Sequence, residues 1–144
     1  MTQAMNSYSA NDTDTIDSTV NAADLYTDLS ILLKAAADPL RLEILRVLAK
    51  GSYGVLELAY LFDLKQSAMS HHLKVLAKAQ LVTTRREGNS IFYRRNQPLF
   101  NAANTNTGFD NTHKNIFTAL FKNLDAFSLT VDTQQRLHTI QRDR

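Results

Sequence analysis

No cysteine occurs among the 144 residues. That absence excludes disulfides, thiolate metal sites and redox-active thiols. Long apolar runs are missing too: nothing approaches the roughly 18 consecutive residues that a membrane-spanning helix needs. The first residues show neither a basic segment nor an apolar segment of the kind that makes a secretion signal, so the expected compartment is the cytoplasm, with no membrane partner. There is no glycine-rich phosphate loop. Ser70-His71 is the nearest approach to a nucleophile and base, and it has no third group to orient it. An enzyme is therefore not expected, and no cofactor is.

What is present is an uneven charge distribution. The whole chain carries only +2, with 16 Lys and Arg against 14 Asp and Glu. Residues 64–95 (LKQSAMSHHLKVLAKAQLVTTRREGNSIFYRR) hold seven basic residues and one acid, Glu87. Residues 1–30 hold five aspartates and no Lys or Arg. Concentrated positive charge on a helix followed by a hairpin is the electrostatic footprint of a duplex-DNA reader, whereas a charge run alone would be a solvated face.

Residues 1–20 (MTQAMNSYSANDTDTIDSTV) are too poor in large apolar side chains to offset ordering entropy, and are expected to form a disordered arm. Leu25, Leu29, Leu32, Leu33 and Ala36 recur at helical spacing and predict a helix over 22–36. Asp38-Pro39 reads as N-cap and first helical residue of a second helix through LRLEILRVLAK, with Gly51 as its C-terminal stop. A third helix is expected at 54–62, burying Val55, Leu58, Ala59 and Phe62. After a turn at 63–65 comes a fourth at 66–79. Met69, Leu73 and Leu76 face its core side, leaving Gln66, Ser67, Ser70, His71 and Lys74 on the other face. Two short helices joined by a tight turn, the second more polar, make a helix-turn-helix. Leu81-Val82 and Ile91-Phe92-Tyr93 belong to paired strands, with Gly88 and Asn89 at positive φ in the turn between them. Arg85 and Arg86 point to opposite faces of their strand, so one of them is expected on DNA.

Pro98 closes this region, and residues 101–112 read as a polar loop. The segment HKNIFTALFKNLDAF predicts an apolar helix over 113–127. Ile116, Leu120 and Phe127 form one stripe; Phe117, Phe121 and Leu124 form the next. Residues 128–144 read as a polar tail with room for a weak helical extension, leaving 21–127 as the folded domain. The expected class is mainly α with a small β-hairpin wing, flanked by dimerisation helices.

Three stretches resemble the ArsR-type winged helix-turn-helix repressor family. ADPLRLEILRVLAKG is similar to its second helix with the Asp-Pro-x-Arg start. GVLELAYLFDLKQSAMSHHLKVLAKAQLV is similar to its helix-turn-helix, and TTRREGNSIFYRR to its wing. The resemblance spans residues 31–95. The resemblance implies a homodimer that binds a double-stranded operator, an inverted repeat, and releases it when a small effector binds. Gln66, Ser67, Ser70 and His71 would read bases or anchor the helix, with Lys74, Arg85, Arg86 and Asn89 on the backbone or in the minor groove. The family's dimer is built from its first and last helices, here through Leu25, Leu29, Leu32, Ile116, Phe117, Leu120, Phe121 and Leu124.

The departures also inform. Lys65 replaces the usual Ser or Thr cap of the recognition helix, a role left to Ser67 or Asp63. Gln80 replaces a frequent Gly. Ala59, Tyr60 and Leu61 stand where metal- and arsenic-sensing members carry cysteine, so sensing through thiolate is not available. Adjacent His71 and His72 point about 100° apart and cannot chelate one ion together. Asp110, His113 and His138 remain weak zinc candidates, against the plainer reading of Asp110 as a helix cap. The phenylalanines of the last helix could line an effector pocket or simply pack. A protein-interaction module without operator specificity is the alternative from another class.

Overall fold

A computed structural model describes the backbone of residues 22–96 and 111–144, and the side chains of 23–96 and 115–144. The expected N-terminal arm, Pro98, most of the 101–112 loop and Asp110 lie outside the described residues. The helices α1 (Ala22–Ala36) and α2 (Pro39–Leu48) lead into a two-residue strand β1 (Tyr53–Gly54) and α3 (Val55–Leu61). Then come α4 (Gln66–Lys78), β2 (Val82–Glu87), β3 (Ser90–Arg95), α5 (Asn111–Asp125) and α6 (Val131–Arg142). The strands form one antiparallel sheet in the order β1-β3-β2. The class is as expected: helical, with a small winged sheet.

The Asp-Pro-x-Arg start serves two helices at once. The Asp38 carboxylate accepts from the Arg41 backbone N–H at 3.0 Å, capping α2. The Arg41 guanidinium donates to the carbonyls of Ala35 (2.7 Å) and Lys34 (2.9 Å), the orphan acceptors at the end of α1. The Arg41 N–H holds the Asp38 carboxyl below its ordinary range, against the opposing effect of burial.

Gly51 does not act as a left-handed helix stop: Gly88 is the glycine with positive φ among the described residues. The helix ends in a tightened turn, with Lys50 N–H donating to Val47 at 2.9 Å. Gly51 instead makes room, since a Cβ there would stand 3.2 Å from the Tyr53 hydroxyl. Tyr53, in a strand too short for any sequence pattern, is buried and pairs with Tyr93 of β3.

Both ends of the helix-turn-helix use the same stop. Asp63 (φ 52°) and Gln80 (φ 58°) are left-handed. Leu64 N–H then donates to Ala59 O, and Leu81 N–H to Leu76 O. These bonds span six residues back to one, as in the helix stop usually built on glycine. Gln80 therefore occupies the conformation that the family's glycine would take more cheaply. We expect Gln80→Gly to stabilise the fold by about 1 kcal/mol, less what glycine loses by ordering. Urea denaturation checks this; a lower midpoint for the variant would refute it. Neither Asp63 nor Ser67 replaces the missing cap of α4, whose N-cap Lys65 makes no side-chain capping bond.

The core gathers Leu32 and Ala35 of α1, Ile44, Leu45 and Leu48 of α2, Leu58 and Leu61 of α3, and Met69, Leu73 and Leu76 of α4. Val55 and Phe62, expected to be buried, are only partly so, and Leu61 takes the place between them. Two corrections concern the C-terminal part. Helix α5 ends at Asp125, and Phe127 beyond it is 76% exposed rather than part of an apolar stripe. Residues 128–144 are not a tail. Thr130 caps α6 by accepting from Thr133 N–H, and Leu129, Leu137 and Ile140 join the core. Arg136 of α6 donates to Leu61 O at 3.4 Å, at the end of α3.

Candidate nucleic-acid interface

Burial of one side of α4 decides what the other side presents. Met69, Leu73 and Leu76 are fully buried, so Gln66, Ser67, His71 and Lys74 are held outward, with Ser70 half-buried. In the wing the register pairs Arg85 with Phe92, Arg86 with Ile91 and Glu87 with Ser90. The turn is therefore the two residues Gly88-Asn89. Gly88 has φ 57°, but Asn89 does not share a positive φ, contrary to the sequence reading. A left-handed first position alone is the pattern of a type II′ turn.

Gln66 and Ser70 line one cleft of about 550 Å³ together with Asn89 and Ser90, and Val55, Leu56 and Ile91 line it as well. Ser67, His71, Lys74, Arg85 and Arg86 do not line it and lie on the exposed surfaces to either side. Arg85 is paired with Glu87, two residues along the same strand face. Arg86, on the opposite face, has no acidic partner among the described residues, and its Nε donates to Gly88 O at 3.1 Å. Of the two β2 arginines, Arg86 is thus the one without an acidic neighbour, and Arg94 on β3 is exposed as well.

One of the seven basic residues does not belong to this surface. Arg95 is 6% exposed. Its guanidinium makes two bonds to the Asp125 carboxylate, at 2.8 and 2.7 Å, and lies 4.4 Å from the centre of the Phe121 ring. It ties the end of the wing to the end of α5. The sign of its charge suggested a surface; only the partner, 30 residues away, explains its burial.

The histidines separate as their spacing requires. His71 is exposed, while His72 is half-buried with a buried Nδ1 that has no hydrogen-bond partner. Of the weak zinc candidates, Asp110 and the His113 side chain lie outside the described residues. His138 is exposed on α6, beside Lys50 and Gln141.

The residues expected at a dimer seam divide in two. Leu32, Phe117 and Phe121 are at most 1% exposed within a single chain, so they serve its own core and offer no surface to a second copy. Leu25, Leu29, Ile116, Leu120 and Leu124 are half-buried, and the exposed Tyr26 and Leu33 add to the α1 surface.

Residues 38–84, from the cap of α2 to the start of the wing, match the model of the bacterial regulatory protein arsR family. The chain is 40% identical over 87 residues to the arsenical resistance operon repressor of Staphylococcus xylosus, covering 60% of this chain and 84% of that one. The chain belongs to the ArsR family. Its fold is similar to a homodimeric winged helix-turn-helix DNA-binding domain from Mycobacterium bovis, a possible ArsR-family transcriptional regulator. There the TM-score is 0.56 and identity 25%, over 74% of this chain and 87% of that one. It is also similar to NolR of Sinorhizobium fredii, with TM-score 0.51 and 31% identity over 70% and 88% of the two chains. In this ArsR-family chain, α3 and α4 are the helix-turn-helix and β2–β3 the wing. On α3, Ala59 and Leu61 are buried and Tyr60 is exposed. Among the described residues no helix is long and apolar enough to cross a membrane, and no three His, Asp or Glu cluster as metal ligands.

Proposed function

We propose that the protein is a homodimeric transcriptional repressor that reads a double-stranded operator in the cytoplasm, and that its effector acts without a thiolate. The observation that carries this reading is the outward face of α4. A helix locked by three fully buried apolar residues presents Gln66, Ser70, His71 and Lys74 beside an exposed basic wing. These are hydrogen-bonding side chains of a size that fits major-groove base edges. Gln66, Ser67, Ser70 and His71 read bases or anchor the helix end; Lys74, Arg86 and Asn89 hold phosphate or enter the minor groove. The second copy docks through α1 and α5, using Leu25, Leu29, Ile116, Leu120 and Leu124, with Tyr26 and Leu33 extending the patch.

A two-fold dimer presents the same helix twice, so the operator is an inverted repeat with half-sites roughly 34 Å apart or a multiple of that. The test compares two variants on operator and bulk DNA. Arg86→Ala is expected to weaken both alike and to reduce the salt slope by about 0.9 for each phosphate no longer neutralised. Ser70→Ala with His71→Ala is expected to reduce operator affinity selectively, by about 1–3 kcal/mol for each base edge no longer read. Equal behaviour of the two variants would refute this division of roles, and protection of a single half-site by a monomer would refute the dimer. With no cysteine in the sequence, arsenite and thiol-blocking reagents are expected to leave the complex intact.

A further inference from the structure

The cleft between α4 and the wing is lined by one acidic side chain, Glu57. Its place is fixed by its first role: Glu57 Oε2 accepts from the Gly54 N–H at 2.8 Å, closing the first turn of α3. Glu57, with 27% of its side chain exposed, thus shares the lining of the cleft with Gln66, Ser70 and Asn89. Phosphate would be repelled there.

The counter-charge comes from 87 residues further along. Arg144 Nε donates to Glu57 Oε1 at 2.9 Å and Nη2 to Oε2 at 2.6 Å, the two-pronged geometry that suits arginine and not lysine. The same Nη2 donates to the Ser52 carbonyl at 2.8 Å. The guanidinium lies 5.0 Å from the centre of the Tyr53 ring and 5.8 Å from that of Phe92. One helical turn earlier, Gln141 donates to the Tyr53 hydroxyl at 3.1 Å. One side chain thus joins the first turn of α3, strand β1 and wing strand β3.

We propose that Arg144, just beyond α6, is a positioning residue for DNA binding: it cancels the carboxylate facing the recognition cleft and braces the root of the wing against α3. This rests on α4 and the wing being the DNA-binding face. Burial alone would raise the Glu57 carboxyl, but the bonds from Arg144 and Gly54 hold it below its ordinary range. The acid stays charged at neutral pH, and its neutralisation depends on Arg144. Helix α6 owes its relevance to the interface to this reach, since it lines no part of the cleft.

The experiment measures duplex affinity of the full chain and of Arg144→Ala, Arg144→Lys, Glu57→Gln and the double variant Glu57→Gln/Arg144→Ala. Glutamine preserves the capping bond to Gly54 while removing the charge. Arg144→Ala is expected to weaken binding about fivefold, the scale of one uncancelled charge near a phosphate in a partly screened site. The double variant recovers most of this loss, and Arg144→Lys, which keeps the charge without the fork, recovers part. Amide exchange at Tyr53 and Phe92 without DNA reads the brace separately; it quickens in Arg144→Ala and in the double variant. Unchanged affinity in Arg144→Ala, or a double variant no better than the single one, overturns the charge-cancelling role, and unchanged exchange overturns the brace. A full-length protein that binds no duplex would instead refute the reading of the interface, leaving the exchange result to judge the brace.

Discussion

Phe121→Ala is expected to cost about 3–5 kcal/mol of folding stability. The ring is completely buried and packs edge-on to Phe117 with centroids 6.0 Å apart. Arg95 lies over one face, so truncation removes that cation–ring attraction as well as opening a cavity. Total stabilities of small domains are about 5–15 kcal/mol, so the loss is a large share of the whole. The result also separates two roles for α5. Were Phe117 and Phe121 seam residues, charged substitutions there would yield folded monomers. Since both are buried within one chain, Phe117→Asp and Phe121→Asp are expected to unfold it at every protein concentration. Circular dichroism with sedimentation decides: a monomer with native helicity and melting temperature would return these residues to the seam.

Asp125→Ala is expected to be the next most damaging change, at about 2–3 kcal/mol. That is below the cost of breaking a fully buried pair, because half of the Asp125 side chain is exposed. The penalty arises on the partner: Arg95 stays charged and buried, and its Nε already lacks a hydrogen-bond acceptor. Replacing both residues, Arg95→Met with Asp125→Ala, is expected to recover most of the loss, because no buried charge then remains unpaired. A double variant as unstable as the single one would show that the pair supplies shape and not charge balance. The same pair sets an acid limit. The Arg95 hydrogen bonds, against some desolvation, hold the Asp125 carboxyl below its ordinary range; Asp38 and Glu57 are depressed too. Carboxylates lowered by folding contribute fully above their unfolded values, about 4, and lose that contribution as pH falls through the folded ones. Stability is therefore expected to fall below about pH 4, less steeply in Asp125→Asn.

The helices α1 to α4 and the wing were legible because their signals are local. The caps, apolar spacings and turn glycine lie within a few residues of what they determine. Helix α6 was legible only as a weak extension of a polar tail, since its segment is polar on average and its buried residues, Leu129, Leu137 and Ile140, matter only through what they dock on. A capping signal at Thr130, an acid at Asp132 in the first turn and a base at Arg142 in the last could have indicated it. Strand β1 is two residues whose pairing is decided by β3. The outward-facing residues of α4 were readable from their position opposite Met69, Leu73 and Leu76. The pairs Arg95–Asp125 and Arg144–Glu57 were not, because no sequence pattern links charges 30 and 87 residues apart. The apolar stripes of α1 and α5 were legible as stripes, but periodicity does not say which stripe a chain buries in its own core.

At the tip of the wing, the shape of the turn rests on one of its two residues and leaves the other free. Gly88 alone supplies the left-handed turn, and a Cβ there would meet nothing within 4 Å, so its exchange is penalised by the backbone and not by crowding. Asn89 carries no such obligation. It can become arginine, lysine or threonine while the hairpin keeps its path. A lineage carrying this turn can therefore try new side chains at the wing tip one codon at a time without first having to rescue its fold.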